Sequence, residues 1–142
     1  VNTLAPARRP LAARRTGYTV AAVVDSALLY AVNVHPGWQA VPFLTQDAPR
    51  VLWIFNLSLI AGLLANMIYI AYDPPWVRSA GDLVTTAIGL GMLVQTLRVF
   101  PFAFDDPSVD WALVVRTVVI VAAVVTAIAV AVHLTALVRR AV

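Results

Sequence analysis

The sequence lacks cysteine, lysine and glutamate altogether. Without cysteine there is no disulfide, no thiolate metal site and no cysteine nucleophile, and the absence fits either side of a membrane. All ten cations are arginine and all seven anions aspartate, which reads as a coding bias and not as a functional signature. Charge of either sign is scarce, at 12% of residues, where a soluble globule carries roughly 25%. Only two histidines occur, His35 and His133. They fall near opposite ends of the apolar pattern, so one subunit cannot use both on one haem or metal ion. No phosphate-binding glycine loop is present, because Gly89-Leu90-Gly91 lies within an apolar run, and no zinc signature occurs. Ser26, Ser58, Ser79 and Ser108 have no nucleophile context. The reading is non-enzymatic, with no cofactor and no metal.

What is present is grease. Hydrophobic residues make up 61% of the 142 positions, and the mean hydropathy is +0.86. The class implied is an all-α integral membrane protein, a four-transmembrane-helix bundle. A pI near 10 would suggest nucleic acid in a soluble protein. Here the arginines sit at helix ends, where membrane topology accounts for them, and no nucleic-acid partner is expected.

The chain is organised around a hairpin of two apolar runs, residues 51–71 and 83–99, joined by a turn holding Pro74, Pro75 and Trp76. Each run suffices for a hydrocarbon core of about 30 Å at about 1.5 Å per residue. Residues 1–15 read as a disordered basic arm ahead of one domain, 16–142. Four crossings are expected, at about 17–34, 51–72, 79–99 and 107–138. Ser79 and Asp82 form an S-x-x-D pattern that would start the third helix. Asp106 and Pro107 would serve as N-cap and first position of the fourth. The aromatic segments around Trp38 and Phe43, and from Phe100 to Phe104, would lie in the outer headgroup layer. Asp25 interrupts the first apolar run and no small-x-small site follows it, so the basic arm reads as a topology anchor and not a cleaved signal.

Arginine asymmetry sets orientation. Arg8, Arg9, Arg14, Arg15, Arg78, Arg139 and Arg140 gather at one end, leaving Arg50 and Arg98 beside Asp47, Asp105, Asp106 and Asp110 at the other. Both termini are therefore expected in the cytoplasm of a plasma membrane, a bacterial inner membrane, in contact with membrane lipids. The two halves also share Pro and Asp ahead of Trp53 and Trp111, a weak sign of a parallel repeat.

Polar residues at membrane depth are the candidate sites, since a charge there costs about 2.5–3.5 kcal/mol on insertion scales. Asp25 falls about 15 Å deep and could hold a proton or cation. Asp82, His133 and Asn66 fall roughly 6–11 Å inside the cytoplasmic boundary and could meet as a cluster. Arg116, Arg98, Asn56 and Gln95 form a candidate outer set, with Arg116 reaching Asp105, Asp106, Asp110 or Asp25. Small residues mark packing faces: Ser58 and Gly62 on the second helix, Gly81, Thr85 and Gly89 on the third, Thr126 in a stripe with Ala122, Ala129 and His133 on the fourth.

The four-crossing plan with one carboxylate in the first helix resembles the small multidrug-resistance transporters in architecture. Those carry Glu in a characteristic neighbourhood, where this chain has Asp25 within Ala-Val-Val-Asp-Ser-Ala. The resemblance implies only that a transporter belongs among the readings. Three functions are thus carried forward. The first is a structural or accessory subunit packing with itself, as a homo-oligomer, or with a partner membrane protein. The second is a proton-coupled or ion-conducting transporter. The third is a lipid- or quinone-type binder.

Overall fold

A computed structural model describes residues 8–141. It is all-helical, with α1 at Leu11–Asn33, α2 at Pro49–Ala71, α3 at Pro75–Val99 and α4 at Trp111–Ala141. Three of them, α2, α3 and α4 up to Arg139, are long and apolar enough to cross a membrane. α1 has the length, 23 residues, or about 35 Å. Its Tyr18, Asp25, Tyr30 and Asn33 make it the least apolar of the four.

Proline sets two of the starts. Pro49 opens α2, and Pro75 opens α3 behind Pro74, whose φ of −59° and ψ of 155° are extended. A first-turn proline has no N–H to lose and a φ already fit for the helix. This corrects the expected start of α3: Ser79 and Asp82 lie inside the helix and do not cap it. α4 likewise begins a turn later than expected. Asp110 Oδ1 accepts the Leu113 N–H at 3.1 Å, as an N-cap does. Asp106 instead accepts the N–H (2.9 Å) and hydroxyl (2.6 Å) of Ser108 and the Trp111 indole N–H (3.3 Å).

The expected basic arm overlaps α1. Residues 1–7 lie outside the described residues, and from Leu11 onward the segment is helix. Arg14 and Arg15 are therefore on α1.

Helices adjacent in sequence pack on one another: α1 on α2, α2 on α3, α3 on α4. α4 approaches neither α1 nor α2 among the described residues, and α1 reaches α3 through side chains, at Tyr18 and Arg78. The expected bundle takes the form of a row, open between its edges. Burial follows from that shape. The well-covered residues among those described are few: Tyr18, Ala22, Gly37, Ala48, Val51, Tyr69, Asp73 and Pro101, and no side chain falls below 2% exposure. Five of these eight sit on α1, on α2 or in the turn after it. α4 turns Ala122, Thr126, Ala129 and His133 to a half-buried side, while Val118, Val121, Val125, Ile128 and Val132 on the other are exposed.

At the end opposite Asp73 the two long loops meet. Leu44 and Phe102 form an antiparallel bridge, with the Thr45 N–H donating to Pro101 O and the Ala103 N–H to Phe43 O, both at 2.9 Å. Phe43 and Phe104 stack with centroids 5.6 Å apart, and Phe100 meets Phe102 edge-on at 5.2 Å. Phe100 closes α3 at φ 45°, a left-handed conformation a bulky side chain rarely takes.

Candidate functional site

The densest chemistry lies at the other end, around Asp73. Tyr72 is extended (φ −159°), and two prolines follow Asp73, so the chain turns without donating backbone N–H groups to the carboxylate. The donors come from side chains. Arg14 Nε donates to Asp73 Oδ2 at 2.9 Å, and the Tyr18 hydroxyl to the same oxygen at 2.8 Å. Arg8 Nη2 adds a contact at 3.4 Å and donates to the Asp73 carbonyl at 3.0 Å. Asp73 is 8% exposed. The Arg14 bond first, and then that of Tyr18, hold its carboxyl down at about 2 against a usual 3.8.

The network continues into α2 and α3. Arg78 Nη1 donates to the Tyr18 hydroxyl at 2.8 Å, and its guanidinium carbon lies 5.0 and 5.2 Å from the Tyr18 and Tyr69 ring centres. Both distances suit a cation–π contact. Arg78 also pairs with Asp82 at 3.3 Å, one helical turn on. The Tyr69 hydroxyl donates to Asp82 Oδ1 at 3.0 Å. Tyr69 fits because Gly81 has no side chain, since a methyl there would collide with the phenol ring. Arg15 Nε donates to Ile70 O at 3.1 Å. Three helices are thereby knitted by arginine, tyrosine and aspartate.

Beside this network is a cavity of about 520 Å³. Arg8, Arg9, Arg14 and Arg78 line it with Tyr18 and Asn66. A second cavity, of about 460 Å³, sits beneath the joined loops at the far end. Its wall is apolar, formed by Trp38, Leu44, Phe55, Met92, Phe102 and similar side chains; the Thr96 hydroxyl is turned away to Met92 O at 2.8 Å.

The residues singled out from sequence distribute differently from their expected clusters. Asp82 is taken up by Arg78 and Tyr69, and Asn66 Nδ2 donates to Gly62 O at 2.8 Å. No hydrogen bond or ion pair joins either to His133 among the described residues. Similar depth did not bring them together: α3 separates Asn66 of α2 from His133 of α4, and Asp82, though on α3, is turned to Tyr69 of α2 and to Arg78. The outer set separates in the same way. Asn56 exchanges two hydrogen bonds of 2.8 Å with Asn33 of α1, Gln95 donates to Arg50 O at 3.0 Å, and Arg116 lies 4.2 Å over the Phe100 ring. Arg116 thus stacks on an aromatic face where a carboxylate partner was expected. Arg98 ends α3 with no ion pair among the described residues.

Asp25 is half-buried at the contact of α1 with α2, where a methyl on Gly62 would stand 2.8 Å from its Oδ2. Gly62 is thus a close-approach position. Gly89 is not, having open space where a methyl would go, whereas Gly91 faces Ile54 at 3.2 Å. Thr85 and Thr126 donate to Asp82 O and Ala122 O of their own helices.

Sequence reasoning missed Asp73 as a centre. Arg14 and Tyr18 are one helical turn apart on α1, and Asp73 follows Tyr69 by four residues just past the end of α2, so two polar patches were readable. Their meeting, across 55 to 59 residues, was not. The fold and this site define an all-helical chain with three helices able to span a membrane and a charged knot at one end. No family model, no curated protein and no solved structure matches it.

Proposed function

We propose that the chain is a four-crossing plasma-membrane protein with both termini cytoplasmic, acting as a non-enzymatic structural or accessory subunit. It completes its packing against a second copy or another membrane protein. The observation that carries this reading is the open row. Among the described residues α4 is covered on the α3 side only, and the stripe of Val118, Val121, Val125, Ile128 and Val132 has no partner. In lipid, such faces associate by close packing and not by escape from water.

The first crossing is supported by where α1 turns its polar groups. Asp25 faces Gly62 and Asn33 pairs with Asn56, while Val20, Val23, Val24 and Leu28 are exposed. The arginines near its start are tied to the α2–α3 turn, so α1 begins at the end where α2 finishes.

The chain's lack of cysteine makes the test clean. Single cysteines at Val121, Val125 and Ile128, cross-linked in native membranes, should give discrete adducts, either twice the chain mass or one defined larger species. Monomer alone at all three positions would contradict the reading.

The apolar cavity under the loops favours a second reading, a lipid- or quinone-type binder, because its size and wall suit a hydrocarbon ligand. A retained lipid or pigment lost in Phe102→Ala would support it. A third reading, a proton-coupled or ion-conducting transporter, rests on Asp25, a carboxyl at helix mid-length with no hydrogen-bond partner among the described residues. It expects a pH-dependent flux in liposomes that disappears in Asp25→Asn.

A further inference from the structure

We propose that the cavity beside Asp73 is a binding site for a phosphate-bearing anion, gripped by the guanidinium groups of Arg8, Arg9, Arg14 and Arg78. The inference is independent of the accessory-subunit reading, for it needs only the geometry of this end.

The first support is an imbalance of charge. Four guanidiniums border the cavity, and two carboxylates, Asp73 and Asp82, are within their reach. Both carboxylates are already engaged. Asp73 Oδ2 receives Arg8, Arg14 and the Tyr18 hydroxyl, and Asp82 Oδ1 receives Arg78 and Tyr69. Arg9 has no carboxylate among the described residues, and its carbonyl instead accepts Arg14 Nη1 at 2.6 Å. Each guanidinium offers five N–H donors, more than these two acids can absorb.

The second support is shape. A surface cluster of arginines would splay into water, but these surround a concavity of about 520 Å³, within the range of small-ligand sites. Arg14 and Arg78 are both held in place, one through Asp73, which also takes the Tyr18 hydroxyl, and one through the Tyr18 oxygen itself. Their ordering cost is met by the protein before any ligand arrives, which favours binding. The planar fork of arginine matches phosphate oxygens two at a time. Asn66 adds an amide at the wall. A phosphoryl group can come from an anionic lipid headgroup, the nearest concentrated anion at a membrane boundary, or from a soluble phosphate.

The test uses the full chain as wild type, Arg9→Gln, Arg9→Lys and the far-end control Arg98→Gln. Arg9 is chosen because its side chain holds no partner among the described residues whose loss would disturb the fold. One arm measures phosphatidylglycerol retained per chain, relative to phosphatidylcholine, after purification from nanodiscs containing both. The other follows the thermal midpoint in neutral detergent as inorganic phosphate is added. For a lipid headgroup, enrichment on the order of tenfold is expected in wild type and Arg98→Gln, since losing one charge-assisted bond is worth about that factor. It should fall toward parity in Arg9→Gln and only partly in Arg9→Lys, which keeps the charge and loses the fork. For a soluble phosphate, the midpoint rises with phosphate in wild type, and Arg9→Gln abolishes the rise. Neither response in wild type, or equal responses in Arg9→Gln, or equal losses in Arg98→Gln, would overturn the proposal.

Discussion

At the Asp73 end, α1, α2 and α3 meet through Arg14, Tyr18, Arg78, Tyr69 and two aspartates; at the opposite end, two loops meet through a single β-bridge and four phenylalanine rings. The first closure is directional and specific in charge; the second is apolar in its side chains, with two backbone hydrogen bonds of 2.9 Å setting its register. The difference teaches how a thin helical row is held. A chain with so little buried apolar core cannot rely on packing to fix its helix ends. A buried carboxylate with three donors fixes positions because leaving any of them unpaired is costly. At the other end Phe102 walls the apolar cavity and stands among the rings of Phe43, Phe100 and Phe104, aromatic groups that suit the interfacial layer of a bilayer.

The comparison is broken most severely by Gly81→Leu. The new side chain would displace the Tyr69 ring from Arg78 and Asp82, at a cost of about 2–3 kcal/mol from overpacking and lost bonds, read as a lower thermal midpoint in detergent. Phe102→Ala attacks the other end. Phe102 is half-buried, so about 1.5–2 kcal/mol is expected, less than for a fully buried ring, with no dependence on pH.

Acid separates the two ends further. The Asp73 carboxyl is held at about 2 in the folded chain against 3.8 ordinarily, so its contribution is fully present above about pH 4. It is lost as pH falls through the interval down to about 2. The thermal midpoint of the wild type should drop across that interval, and Asp73→Asn should start lower and drop less. An identical acid profile in Asp73→Asn would remove Asp73 from its central place. The smallest effect is expected of Gly89→Ala, where a methyl meets nothing within 4 Å and better helix propensity should add about 0.5–1 kcal/mol.

The apolar runs were legible because membrane solvation imposes length and composition, and α2, α3 and α4 fell within a few residues of the segments read from sequence. Helix starts were less legible where two local signals competed. Ser79 with Asp82 imitates a cap, but Pro75 had already begun α3 a turn earlier, and Asp82 was drawn to Tyr69 and Arg78. Asp106 looked like the α4 cap until Ser108 and Trp111 claimed it, leaving the role to Asp110. Depth arguments failed for a different reason. Asn66, Asp82 and His133 share a level, yet a row places α2 and α4 on either side of α3, and level alone does not make neighbours. Arg116 was expected at a carboxylate and lies over Phe100, whose left-handed backbone aims the ring in a way no periodicity announces.

In the proposed topology all four helices, α1 included, traverse a bilayer with the Asp73 knot on one side and the joined loops on the other. Labelling of single cysteines at Leu11, Trp76, Gln46 and Ser108 in sealed vesicles, with a reagent that does not cross lipid, tests it most directly. The account predicts that Leu11→Cys and Trp76→Cys react from one side and Gln46→Cys and Ser108→Cys from the other. Labelling of Gln46→Cys from the same side as Leu11→Cys would contradict it.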